Sequence, residues 1–161
     1  MRVSQSIAIS APAELVWETV ADPSKYLQFM SGITRWEVVS EEATGLGARY
    51  RMLMRVGSAE IGGLIEVVEW VPDADLAWVS ITGVDQRGRW RLRSDGDTRT
   101  RVEFRLAYGV AGSGVFGWVA EQLAAPQVRG HLKRTLLQLK RQVEHEQLRA
   151  AAAARREARA A

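Results

Sequence analysis

The sequence predicts an α+β fold in which a curved, seven-stranded antiparallel sheet wraps a long C-terminal helix, with two short helices after the first strand. Apolar residues alternate at a period of two over residues 33–110, and helical spacing returns over residues 112–147. Turn-forming residues interrupt the alternating region at short intervals, which is typical of an antiparallel meander. A length of 161 residues suits one domain.

The N-terminal region predicts one strand and two helices. Residues 3–9 alternate weakly and indicate the first strand. Pro12 suits the first turn of a helix, and Asp22 ends that helix because a residue before proline avoids the helical region. The apolar content of residues 24–30 predicts the second short helix.

Six further strands follow, each separated from the next by a short turn. They are predicted at residues 34–41, 47–56, 59–70, 75–82, 86–94 and 98–109. Strict alternation indicates one dry face and one solvated face. Gly62 and Gly63 interrupt one of these strands and predict a bulge or bend that curves the sheet.

The last helix carries an apolar stripe, which predicts that it packs on the dry face. The stripe consists of Val128, Leu132, Leu136, Leu139 and Val143. Pro126 predicts a kink, or a division into helices 115–124 and 126–147. Residues 1–148 are therefore expected to form a single domain, and the Ala/Arg-rich tail 149–161 to be a frayed helix or disordered.

The charge distribution argues against nucleic-acid binding. The net charge of +3 lies entirely in the tail, where four arginines face one glutamate. A nucleic-acid-binding domain normally carries a basic footprint on the fold itself. The tail is a candidate for weak membrane contact. Absence of cysteine, of a signal-peptide pattern and of a membrane-length apolar run leads us to expect a cytoplasmic protein.

The dry face supplies a candidate ligand site. Twelve residues are expected to face it from the strands and the last helix: Tyr50, Met52, Met54, Trp78, Ser80, Trp90, Phe104, Leu106, Tyr108, Phe116, Leu123 and His131. Ligand pockets are mostly apolar with a few polar groups that fix orientation, here the tyrosine hydroxyls and Ser80. The alternative is that these residues simply form a packed core.

Two motifs with known chemistry are rejected. Residues 112–117 match G-x-G-x-x-G, but no second parallel strand follows and no acidic residue lies about 20 positions on, so a dinucleotide site is excluded. These glycines more simply predict a sharp turn between the last strand and the helix. His131 and His145 lie about 21 Å apart along a helix and cannot share a metal. No metal site or cofactor is predicted.

Charged residues on the strands leave two questions open. Ten arginines occupy outward positions, which indicates either a basic face for an anionic partner or a solvated face balanced by acidic residues; we favour the second. The bend at Gly62 leaves open whether Glu66 or Glu69 faces inward. A carboxyl buried in the pocket would have a raised pKa and would be an acid–base candidate.

Several segments, in this order, resemble the helix-grip superfamily of START-like domains, birch-pollen-allergen-like proteins and bacterial polyketide cyclase/dehydrase-type proteins. The segments are residues 11–17, 20–26, 36–38, 67–72, 76–78, 88–92, 98–102 and 136–140. The resemblance covers about residues 1–147. It implies a pocket for a lipid, polyketide, sterol, quinone or similar apolar molecule.

Three functions are compatible with this resemblance. The first is binding of a hydrophobic small molecule without catalysis. The second is a polyketide cyclase/dehydratase in which Tyr50, Tyr108, His131 or a buried Glu66 transfers protons. The third is a regulatory protein-interaction module that uses the outer arginines or the tail. No sequence feature specifies an oligomeric state.

Overall fold

Seven strands form one antiparallel sheet in the order β1-β7-β6-β5-β4-β3-β2. The computed structural model describes the backbone of residues 1–109 and 114–161, and the side chains of these ranges except 114–123. The strands are β1 Arg2–Ile9, β2 Ile33–Val38, β3 Arg49–Val56, β4 Ala59–Val71, β5 Asp75–Ser80, β6 Asp85–Ser94 and β7 Thr100–Gly109. Sequential strands are neighbours throughout, except that β1 joins the far edge beside β7.

Helices lie at both ends of the chain. They are α1 Ala13–Val20, a 3₁₀ turn Pro23–Lys25, α2 Tyr26–Phe29 and α3 Gly114–Ala160. Asp22 caps the 3₁₀ turn, because its carboxylate accepts a 2.9 Å hydrogen bond from the backbone N–H of Ser24. The predicted fold class, a curved sheet with a long C-terminal helix and two short helices after the first strand, is confirmed.

Two predictions about α3 need comment. The division at Pro126 is wrong, since the proline lies inside one continuous helix. A proline removes one helical hydrogen bond, and packing of the apolar stripe on the sheet stabilises the helix that follows it. The predicted turn at residues 112–114 falls mostly outside the described residues. Helix α3 also runs through the tail to Ala160, where almost every side chain is exposed.

The irregularities of the sheet differ from those predicted. Pairing of β4 with β3 passes through Gly62 and Gly63 without a register shift, so the predicted bulge there is wrong. These glycines instead permit close backbone approach: a Cβ on Gly62 would lie 2.1 Å from the Met52 carbonyl oxygen. Register shifts occur at Thr34 against β3 and at Val68 against β5.

The core lies between the inner face of the sheet and the helices. All five residues of the predicted apolar stripe on α3 are buried. Two contacts fix α3 against the end of β1: Lys140 Nζ donates to the Ala8 carbonyl at 3.0 Å, and Glu144 Oε1 accepts from the Ser10 backbone N–H at 2.9 Å. The helix is therefore anchored beside the first and last strands.

Aromatic side chains fill the middle of the core. The rings of Trp90 and Phe104 stack with centroids 4.0 Å apart and planes 9° apart. Trp36 lies in a tilted contact with Tyr26 at 4.3 Å and makes an edge-on contact with Trp78 at 6.0 Å. Such contacts contribute beyond simple burial of area. These aromatic side chains pack closely against one another in the middle of the inner face.

Candidate functional site

A small cavity lies where the open end of the inner face meets α3. Its volume is about 30 Å³. The described residues that line it are Met52, Met54, Ile61, Gly62, Val84, Gln86, Leu106, Tyr108 and Val128. Strands β3, β4, β6 and β7 supply most of this lining, and Val128 on α3 closes it. The space accommodates about one or two water molecules.

Four of the twelve predicted ligand contacts line this cavity, namely Met52, Met54, Leu106 and Tyr108. Another four, Tyr50, Trp78, Trp90 and Phe104, are buried in the aromatic core instead. Alternation predicted that all eight side chains face inward. Their positions along the strands put four at the cavity and four in the aromatic core. The side chains of Phe116 and Leu123 lie outside the described residues.

Ser80 is the last residue of β5 and precedes the turn to β6. Its hydroxyl accepts a 3.1 Å hydrogen bond from the backbone N–H of Gln86 and contacts the Asp85 carboxylate at 3.5 Å. Ser80 is not among the described lining residues. Its role in this structure is to fix the start of β6 and thereby the backbone position of Gln86.

His131 faces a surface groove and not the cavity. Its Nδ1 lies 3.0 Å from Ser31 Oγ and 3.1 Å from Arg134 Nη2, and its ring packs on Gly32, where a Cβ would come within 2.7 Å. Burial, followed by the charge of Arg134, lowers the pKa of His131, although a hydrogen bond with the Arg55 backbone opposes this. Because Arg134 only donates, Nδ1 acts as the acceptor of a neutral imidazole.

Tyr50 is held by a structural hydrogen bond. Its hydroxyl donates to the Ala43 carbonyl at 2.6 Å. Burial raises the pKa of Tyr50 to about 12. The hydroxyl thus anchors the segment before β3 and does not point into the cavity lining.

Glu66 and Glu69 both lie on the outer face. The extra residue Val68 shifts the register between them, so the carboxylates three positions apart share one side of the sheet. Glu66 pairs with Arg49 at 3.3 Å, and Glu69 contacts Arg89. Neither carboxylate lines the cavity, so the structure places no buried acid at Glu66.

Most outward arginines have an acidic partner. Within the described part of the chain, seven of the ten form ion pairs: Arg49, Arg55, Arg89, Arg91, Arg93, Arg99 and Arg105. The outer face is therefore a charge-balanced, solvated surface. This agrees with the interpretation favoured from the sequence.

Gln86 is the polar one of the five described lining residues that were not among the predicted contacts; the others are Ile61, Gly62, Val84 and Val128. Its side chain is buried, with an exposed fraction of 6%. Nε2 donates to the Met52 thioether sulfur at 3.0 Å. The signal was present in the sequence, because the alternation that places Gly88, Trp90 and Leu92 on the inner face also places Gln86 there.

The cavity is electrically neutral in its described lining, which contains no ionisable group other than the Tyr108 phenol. Across the residues whose side chains are described, no group of three or more His, Asp or Glu is placed to hold a metal ion. In the same part of the chain, no helix is both long and apolar enough to cross a membrane.

The sequence that forms this sheet and helix matches a known family. The family model described as polyketide cyclase / dehydrase and lipid transport matches residues 1–144. The chain belongs to this family. A comparison with curated proteins found no match.

Solved structures show the same fold at low sequence identity. TTHA0849 from Thermus thermophilus is 23% identical with a TM-score of 0.77, and the match covers 91% of this chain and 99% of that one. The Zhui aromatase/cyclase from Streptomyces sp. R1128 is 20% identical with a TM-score of 0.76, covering 89% and 93%. A START superfamily protein from Mycobacterium smegmatis is 17% identical with a TM-score of 0.67, covering 89% and 97%.

Proposed function

We propose that this family member binds an apolar small molecule in the cavity between the sheet and α3. The observation that carries the proposal is the lining itself: the described side chains around the cavity are mostly thioether and aliphatic, and none of them is charged. Such a site favours apolar ligands by the hydrophobic effect. The family description, which includes lipid transport, supports the same class of ligand.

The ligand must enlarge the cavity when it binds. Pockets for drug-sized ligands measure about 300–1,000 Å³, whereas this cavity measures about 30 Å³. Met52 and Met54 supply a means of enlargement, because unbranched methionine side chains adapt to irregular shapes. Met52, Met54, Leu106 and Tyr108 are the predicted contacts that we retain for the ligand.

Native mass spectrometry of the protein purified from its own host tests this proposal. A co-purifying apolar molecule, extracted and identified, is the expected result. Saturable binding of a fatty acid, polyketide or quinone from a panel should then be lost in Val128→Phe, which fills the space. Val68→Phe is the matched control, since Val68 is exposed on the outer face.

Binding that persists in Val128→Phe would place the ligand elsewhere. A failure of the wild-type protein to bind any member of a broad panel would remove the proposal. Both variants must keep the circular dichroism spectrum of the wild type, so that lost binding is not confused with lost structure.

A second candidate function is cyclisation or dehydration of a poly-β-keto chain in the same cavity. The position of Tyr108 favours it. Of the four proton-transfer candidates, Tyr108 lines the cavity, while Tyr50, His131 and Glu66 lie outside its described lining. A positioned acid or base contributes about 10²–10⁴-fold to rate. Tyr108→Phe should therefore abolish turnover of a poly-β-keto substrate while preserving its binding; unchanged turnover would exclude this role.

A further inference from the structure

The side-chain amide of Gln86 lies on the cavity wall with one weak hydrogen-bond partner. The residue is 6% exposed, and its backbone N–H is already bonded to Ser80. The partner of the carboxamide is the Met52 sulfur, which accepts hydrogen bonds weakly. Across the described residues, Oε1 has no hydrogen-bond partner, and this oxygen is not fully buried, so it borders open space.

Such a group is unusual on an otherwise apolar cavity wall. Polar side chains inside a protein are nearly always hydrogen-bonded to other protein groups or to ordered water. A leucine at this position would fill nearly the same volume without an unpaired dipole. The exception therefore calls for a physical reason, and the place of Gln86 on the cavity wall supplies one.

The surroundings of Gln86 define what it can bind. The other side chains of the cavity lining are mostly aliphatic or thioether. None of the described lining residues carries a positive charge. A carboxylate moved into this site would lose its hydration without gaining a counter-charge. A neutral carbonyl or hydroxyl meets no such penalty, because an amide can donate to the first and accept from the second.

We propose that the Gln86 carboxamide is the polar anchor of the cavity, and that the ligand is an apolar skeleton carrying a neutral carbonyl or hydroxyl oxygen. This inference rests on the proposed function and narrows its ligand class. Gln86 selects the ligand by one hydrogen bond, while the aliphatic lining contributes the greater part of the binding.

A matched pair of probes tests the anchor. Tetralin and 1-tetralone differ by one carbonyl oxygen, and 1-naphthoate supplies a charged counterpart of similar size. Titrations of the full chain followed by NMR should show 1-tetralone binding about fivefold more tightly than tetralin, the size expected for one neutral hydrogen bond. Binding of 1-naphthoate should be weaker than that of tetralin. In Gln86→Leu, 1-tetralone and tetralin should bind about equally tightly.

Stability separates an anchor from a structural residue. Gln86→Leu should unfold at an equal or higher urea concentration than the wild type, because leucine fills nearly the same volume and the amide makes only one weak hydrogen bond. Gln142→Leu on α3 is the matched control, since Gln142 bonds to Glu146 outside the cavity. It should leave the preference for 1-tetralone unchanged.

The failures are distinguishable. Equal binding of tetralin and 1-tetralone by the wild type, or an unchanged preference in Gln86→Leu, overturns the anchor and leaves the apolar cavity intact as a binding site. A lower urea midpoint in Gln86→Leu would assign the amide a structural role and also overturn it. Absence of binding by all three probes counts against the proposed function itself.

Discussion

At the scale of single residues, the pair Gly88 and Trp78 shows how one missing side chain permits another. The two residues face each other across β5 and β6. A Cβ on Gly88 would lie 2.0 Å from the Trp78 ring, well inside van der Waals contact. Glycine weakens a strand, yet here it provides the space in which a large indole is buried.

Gly88→Ala should therefore destabilise the protein by about 1–3 kcal/mol, the usual cost of overpacking a core. Urea denaturation measures the loss. Gly130→Ala is the control, because a Cβ there meets its nearest atom, in the Arg134 guanidinium, at 3.7 Å. That helix substitution should stabilise by about 0.5–1 kcal/mol. A stable Gly88→Ala variant would show that Trp78 can move aside.

His131 makes stability depend on pH. Its pKa in the folded state is lowered below the ordinary value of 6.5. As pH falls through 6.5, the unfolded chain binds a proton at this site before the folded chain does, so the free energy of unfolding should decrease.

Urea midpoints measured between pH 7.5 and 5.5 check this expectation. The wild type should lose stability toward pH 5.5, and His131→Gln should lose less. His145→Gln, at an exposed position of the same helix, should behave like the wild type. An identical pH slope in all three proteins would contradict a neutral His131.

At the scale of elements, the end of α3 makes a clear prediction. Val143 is fully buried, while residues 149–160 are nearly all exposed. A helix segment without tertiary packing contributes little stability. Removing residues 149–161 should therefore leave the urea midpoint unchanged, and amide hydrogen exchange in this segment should be fast.

A deletion that begins at residue 143 is the contrasting variant. It removes Val143 and Glu144, which bonds to Ser10, so it should destabilise the fold. A marked loss of stability on removing residues 149–161 alone would instead show that the tail packs on the domain.

The strands illustrate what could be predicted from the sequence. Alternation sufficed to place each strand approximately and to assign the inner faces of β3, β6 and β7, because one buried face imposes a period of two. The bulge at Val68 was not predictable in this way, since an extra residue is defined only against the partner strand. This bulge decides that Glu66 and Glu69 share the outer face.

The sequence predicted which side chains of the candidate site face inward, but not which of them line the cavity. Met52 and Trp78 face inward by the same rule, yet one lines the cavity and the other packs against Trp36. The difference depends on where α3 crosses the sheet, and a local sequence pattern does not specify that position. Gln86 was overlooked because a polar residue was not expected on a dry face.

At the scale of the whole molecule, binding and stability are linked. A ligand that binds only the folded state stabilises it by about 2.7 kcal/mol at a concentration 100 times its Kd. For a chain of 161 residues this corresponds to a rise in Tm of about 5–10 °C. Thermal denaturation with the identified ligand should show this rise in the wild type and in Val68→Phe.

The same ligand should leave the Tm of Val128→Phe unchanged. An equal rise in that variant would indicate that the ligand stabilises the protein from a site other than the cavity.

The strand order has a consequence for biosynthesis. In the sheet that the structure describes, β1 has β7 as its one neighbour, and Arg2 pairs with Ala107. A ribosome adds about 5–20 residues per second, so roughly 5–20 s pass between the synthesis of β1 and that of its partner β7. The hairpins from β2 to β6 can form in the meantime. Closure of the sheet is thus a late event, and β1 is the segment that nascent-chain chaperones would find unpaired.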